Sequence, residues 1–106
     1  MSVIVVGSIN VDVTVVAERM AQAGETITGT ALETGLGGKG ANQAVAAAHA
    51  GAATAMVGCV GSDAFADVAL DGLRDAGVDT DAVRVVDGGT GIAHIRVAGG
   101  DNSIVV

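Results

Sequence analysis

The first apolar run, Val3 to Val6, is β-branched and ends at Gly7, the pattern of a strand buried on both faces. From Ser8 the pattern becomes a strict alternation. Asn10, Asp12 and Thr14 share one face, while Ile9, Val11, Val13 and Val15 share the other. A looser alternation from Gly24 to Gly35, with Thr26, Thr28, Thr30 and Thr34 among its polar positions, predicts an exposed or edge strand. Gly40 to Ala50 are mostly strong helix formers, and Gly51 supplies the stop. Thr54 to Val60 reads as another apolar strand. Asp63 then sits as the N-cap of a helix whose positions Phe65, Val68, Ala69, Gly72, Leu73 and Ala76 recur at three- and four-residue steps. The stretch VDTDAVRVV returns to strand, and Ile92 to Val97 and Ser103 to Val106 flank a hairpin turn at AGGDN. This order defines an α/β domain with extra antiparallel pieces. The apolar pattern SIVV at the end leads us to expect the front part of a longer protein.

Composition narrows the class. The 106 residues make one domain at most, with half of them apolar and Phe65 the only aromatic, so the core is expected to consist of Val, Ile, Leu and Ala. A net charge of −7 with five scattered Lys and Arg residues offers no basic stripe for a phosphate backbone, which argues against nucleic acid. The chain has no apolar run of about 18 residues and no charged-then-apolar leader, so neither a membrane partner nor a secretory route is expected, and the chain reads as cytoplasmic. Cys59 lies in AMVGCVG, where a small buried thiol is expected rather than a disulfide or a metal ligand. No metal-ligand set is read from the sequence.

The richest stretch for chemistry is GLGGKGANQ. Gly35, Gly37, Gly38 and Gly40 surround Lys39 immediately before the predicted helix, where backbone N–H groups and the positive end of the helix dipole suit an anion or a hydroxyl-rich ligand. Two phosphate motifs fail there. A P-loop would need glycine where Glu33 stands and Ser or Thr where Gly40 stands. The spacing Gly35, Gly37, Gly40 fits the dinucleotide fingerprint, but a threonine-rich segment precedes it instead of the first buried strand. A flexible turn before a helix is the plain alternative, yet it leaves Lys39 and Asn42 unexplained. Asn42 falls in the first helical turn, and Asp12 can accept two hydrogen bonds, which suits a pair of neighbouring hydroxyls. Taken singly, Asp12 also reads as a turn or cap carboxylate and Asn10 as an Asx-turn residue. Together with the glycine segment they outline one polyol site.

The segments VVGSINVDVTV, GETITG, GGKGANQAVAAAHAGA and VGCVGSDAFA resemble, in order and spacing, the N-terminal part of the ribokinases within the PfkB family of carbohydrate kinases. The resemblance runs over residues 1–106. It implies the N-terminal part of a ribokinase-like three-layer α/β/α domain with a small antiparallel β lid, its strands near 10–16, 24–36 and 90–106. It also implies that Asn10 and Asp12 bind sugar hydroxyls, that Gly38, Lys39 and Asn42 close on the sugar, and that Ala93 and Ile95 form an apolar wall. The implied activity is ATP-dependent phosphorylation of D-ribose to ribose 5-phosphate with Mg²⁺ and a monovalent cation (K⁺), in a homodimer joined through the lids. Other readings are a different sugar or nucleoside kinase of the family, or a non-catalytic sugar-binding fragment.

The family's later glycine-alanine-glycine-aspartate motif and nucleotide-binding half have no counterpart in these residues, so no catalytic residue is assigned. Ala21 and Ala23 stand where the family commonly has proline, which predicts a less rigid connection. His94 takes a position more often small or apolar and is read as solvent-facing. His49 lies about 10 Å beyond Asn42 along the helix and is read as an exposed helical residue rather than a base.

Overall fold

A computed structural model describes residues 1–106. In chain order the elements are β1 (Ser2–Val6), β2 (Asn10–Val16), β3 (Ala31–Gly37), α1 (Lys39–His49), β4 (Ala53–Val60), α2 (Ala64–Asp75), β5 (Val83–Val85), β6 (Gly91–Ala98) and β7 (Asp101–Val105). They form two sheets. One is three-stranded and parallel, in the order β1-β4-β5; the other is four-stranded, in the order β3-β2-β6-β7. No helix is long and apolar enough to cross a membrane.

The core lies where the two helices meet the strands. Val5, Met56 and Val60 come from the parallel sheet, Ala41 and Ala44 from α1, Ala66, Ala69 and Leu73 from α2, and Ile9 and Val11 from the start of the second sheet. Met56 and Leu73 are fully buried, each contributing about 1.5–3 kcal/mol relative to exposure. Methionine thus joins the expected aliphatics in filling the core. Alanines on the inner faces of both helices let the backbones approach closely, which a core almost without aromatics requires. Asp63 caps α2 as its sequence position predicts, its carboxylate accepting from the Ala66 N–H at 3.1 Å.

Three expectations about burial fail for related reasons. The α2 position that turns inward is Ala66, and Phe65, one residue and about 100° away around the helix, remains 39% exposed. β1 is buried on one face only: Val5 points into the core, but Ile4 and Val6 are 70% and 77% exposed. Cys59 belongs to that same uncovered face of the sheet, so its thiol is exposed rather than buried. Both helices serve the Val5 side of the sheet, and no element of the chain covers the other.

The second sheet is mixed rather than antiparallel. β2 and β3 pair antiparallel, as do β6 and β7, but the central pair β2–β6 is parallel, with Asn10 opposite Gly91 and Val16 opposite Val97. The reason is connectivity. β2 continues from the end of β1, and β6 continues from the end of β5, so both leave the parallel sheet in the same direction while their hairpin partners return.

The edge strand expected from Gly24 begins only at Ala31. Residues 24–30 form turn and irregular backbone, held at one end by the Thr30 N–H donating to the Val16 carbonyl at 2.7 Å. Where proline is absent, the Arg19 guanidinium clasps Glu25 through two hydrogen bonds of 2.5 and 2.8 Å, and the Gln22 N–H adds a third at 3.0 Å. These contacts hold the Glu25 carboxyl below its ordinary range, Arg19 being the larger cause and Gln22 the smaller. The AGGDN hairpin forms as predicted, with Gly99 and Gly100 as its two-residue turn.

Candidate functional site

Strand pairing places Asn10, Asp12 and Thr14 of β2 on the same sheet face as Gly35 and Gly37 of β3 and Gly91, Ala93 and Ile95 of β6. The opposite face carries Val11 and Leu36, and Leu36 packs on α2 at Gly72. One side of the sheet is therefore committed to the core. The other presents two polar side chains bordered by glycine, with Ala93 and Ile95 beside them. Four of the seven residues singled out from sequence meet on this face.

Glycine determines where the polar groups lie. A Cβ on Gly37 would overlap the Asp12 carboxylate, and a Cβ on Gly91 would overlap the Asn10 side-chain oxygen. Asp12 thus leans along the sheet over Gly37 toward the start of α1, and Asn10 leans the other way over the first residue of β6. Neither side chain makes a hydrogen bond within the chain. Asn10 opens β2 and Asp12 lies within it, and without a local side-chain hydrogen bond neither makes the turn or cap that its residue type also suggested.

Gly38, Lys39 and Asn42 stand at the corner where β3 turns into α1. Gly38 is the N-cap, with φ 93° and ψ 140°, a combination open essentially to glycine. A Cβ there would also come within 2.9 Å of the Ser8 carbonyl and 3.0 Å of the Asn10 nitrogen. Lys39 and Asn42 are exposed, and their side chains have no partner within the chain. The glycine segment is less of a loop than its composition implies. Gly35 and Gly37 are paired in β3, and Gly38 alone makes the turn.

Ser8 is a neighbour of this corner that sequence reasoning missed. Its carbonyl accepts from the Ala41 N–H at 3.0 Å and its hydroxyl from the Gly40 N–H at 3.4 Å. Two N–H groups of the helix start are thereby occupied, although the dipole of α1 and the Lys39 charge remain. A phosphate cradle built on these backbone donors would need both. What is left is a set of side-chain acceptors and donors (Asn10, Asp12, Lys39 and Asn42), which fits a neutral polyol better than a phosphate. The signal for Ser8 lies in the pairing of Gly7 with Gly40, whose close approach brings the β1–β2 connection against the helix start.

His49 ends α1 and is exposed, and His94 is exposed on the sheet face opposite Ala93, so neither belongs to this site. A cavity of about 260 Å³, with Arg19, Met20, Ile27 and Arg96 in its walls, lies at the far end of β2 and β6 and contains none of the site residues. No three His, Cys, Asp or Glu side chains converge as a metal set would.

The family model for pfkB family carbohydrate kinases matches residues 1–106. The chain belongs to the PfkB family of carbohydrate kinases. It is 48% identical over 106 residues to the ribokinase of Bacillus subtilis (strain 168), covering 99% of this chain and 36% of that relative. It is 41% identical over 108 residues to the deoxyribokinase of Salmonella typhi, covering 100% of this chain and 35% of that relative. The structure of Arabidopsis thaliana ribokinase complexed with ribose and ATP superposes with a TM-score of 0.88 at 41% identity, over 98% of this chain and 35% of that one. The fold is accordingly the ribokinase-like α/β fold. The chain spans about a third of the length of the curated relatives it matches.

Proposed function

We propose that these residues form the sugar-binding and lid portion of an ATP-dependent ribokinase, which transfers the γ-phosphoryl group of ATP to the terminal hydroxyl of D-ribose. The observation that carries this reading is the seating of Asp12 and Asn10 by glycine on the face that also presents Ala93 and Ile95. Asp12 accepts from two neighbouring hydroxyls, Asn10 and Asn42 supply directional amide contacts, Lys39 and Gly38 close the corner, and the apolar pair lies along the ring. The four-stranded sheet acts as the lid over the bound sugar, excluding water that would otherwise intercept the phosphoryl group.

No group among these residues is assigned as the base that takes the hydroxyl proton. In a protein of the relatives' length, ATP, Mg²⁺ and K⁺ would be held mostly by residues outside these 106. ATP would supply the phosphoryl group; this chain's part is to bind and orient the sugar. The reading includes a cytoplasmic homodimer joined through the lids.

The experiment is ribose binding and phosphorylation by the intact protein carrying Asp12→Ala or Asn42→Ala. Loss of hydrogen bonds from a charged acceptor, worth about 1.5–3 kcal/mol, predicts ribose affinity lowered roughly 10- to 100-fold for Asp12→Ala, with a smaller loss for Asn42→Ala. Unchanged affinity in both variants would overturn the reading. Similarity to a deoxyribokinase makes 2-deoxyribose the second sugar to test. Comparing ribose, deoxyribose, fructose and adenosine in one phosphorylation assay ranks the alternatives.

A further inference from the structure

We propose that Asp63 and Thr90 form a latch that positions the start of β6, and through it the Gly91–Ala93 side of the sugar site. The Asp63 carboxylate accepts from the Thr90 N–H at 2.9 Å through one oxygen. Its other oxygen accepts from the Thr90 hydroxyl at 2.6 Å and from the Ala66 N–H at 3.1 Å. The Thr90 hydroxyl in turn accepts from the Gly61 N–H at 3.0 Å. Thr90 is 5% exposed, one of only two buried polar residues in the chain, so its hydroxyl depends on these partners. The Asp63–Thr90 pair thus joins Gly61 just after β4, the N-terminus of α2 and the residue that precedes β6.

The consequence for the site follows from register. Gly91, next to Thr90, stands opposite Asn10 and leaves the space its amide occupies; Ala93 stands opposite Asp12. Three connections join the parallel sheet and α1 to the second sheet. Two of them, β1 to β2 and β3 to α1, are held by close backbone contact around Ser8 and Gly38. At the third, Ser62 N–H donates to the Gly88 carbonyl at 3.0 Å, and the strand entry itself hangs on the Asp63–Thr90 pair. Neither residue lies on the β2–β6 face assigned to the sugar, so both are positioning residues, and their role in sugar binding rests on the sugar-kinase reading above.

The test uses the intact protein with Thr90→Val, which removes the hydroxyl and keeps the shape, and Thr90→Ser, which restores the hydroxyl. Leu73→Ala, a core change on α2 that leaves the Asp63–Thr90 hydrogen bonds in place, serves as a destabilised control. The expected result for Thr90→Val is a ribose KM raised about tenfold with kcat within about twofold, wild-type KM in Thr90→Ser, and wild-type KM in Leu73→Ala. Hydrogen exchange of the Gly91–Ala93 amides is expected to quicken in Thr90→Val and not in Thr90→Ser. A wild-type KM in Thr90→Val, or the same rise in Leu73→Ala, would overturn the proposal. If the wild-type protein does not phosphorylate ribose, the sugar-kinase reading fails on its own, and exchange at Gly91–Ala93 still decides the latch: no change in Thr90→Val sinks it. Should Thr90→Val not fold, Asp63→Asn replaces it, since Asn retains an N-cap acceptor but presents its amide to a Thr90 donor.

Discussion

The Asp12 carboxylate lies over the bare Cα of Gly37, two residues before Lys39, in space that any side chain at that position would fill. Gly37 has no positive φ, so alanine fits the backbone there, and the nearest conflict is with the Asp12 carboxylate. Gly37→Ala is therefore expected to keep the fold while turning the carboxylate away from the α1 corner. The cost to ribose binding should approach that of Asp12→Ala, about 1.5–3 kcal/mol or roughly 10- to 100-fold in affinity. Calorimetric titration with ribose checks this. Wild-type affinity in Gly37→Ala would mean that the leaning carboxylate is not the binding conformation.

Gly38 presents the opposite case, because its backbone forbids a side chain before any neighbour does. At φ 93° and ψ 140° an L residue is strained, and the added Cβ would press on the Ser8 carbonyl, which already accepts from Ala41. Gly38→Ala is expected to lower stability by about 1–3 kcal/mol, read from urea unfolding. Gly37→Ala should fall well short of that loss. Equal losses in the two variants would deny the distinction between backbone strain and side-chain displacement.

The polar face of β2 was legible because strand periodicity is two, so Asn10 and Asp12 fall together whatever the strand pairs with. The Asp63 cap and the Gly99–Gly100 turn were legible for a similar reason, since each depends on residues close in sequence. Parallel pairing of β2 with β6 was not, because it brings together residues about 80 apart and follows from the connections to β1 and β5. Phe65 and Ala66 are neighbours in sequence, so the helical pattern fixes the apolar face to within one position and no better. Cys59 and Ile4 have the composition of buried residues, but burial of a sheet face depends on what covers it, which no local pattern contains.

That uncovered face has a consequence for the 106-residue chain by itself. Ile4 at 70% and Val6 at 77% exposure stand beside their partners Ala55 and Val57 on one apolar surface. In isolation the chain is expected to self-associate and to melt broadly. Ile4→Thr combined with Val6→Thr keeps strand propensity, removes apolar surface and should raise the monomer fraction in sedimentation velocity. A monodisperse wild-type chain with a sharp cooperative melt would contradict this.

The Asp63 carboxyl is held below its ordinary range, first by the Thr90 hydroxyl, then by the Thr90 N–H, with the Ala66 and Phe65 N–H groups adding less. Folding therefore favours its ionised form. The resulting stability is complete above the ordinary aspartate range and is lost as pH falls through the lowered folded value. Glu25 titrates in the same acid region, its carboxyl being lowered by Arg19, so the acid limb of the wild-type protein alone does not isolate Asp63. The difference between wild type and Asp63→Asn does, because Glu25 contributes equally to both. That difference is expected to be constant above the ordinary aspartate range and to narrow as the medium is acidified. Urea unfolding of the two proteins across the acid range reads it directly. A difference that stayed flat to the most acid point would mean that shape and neutral hydrogen bonding, rather than the charge on Asp63, hold the entry to β6.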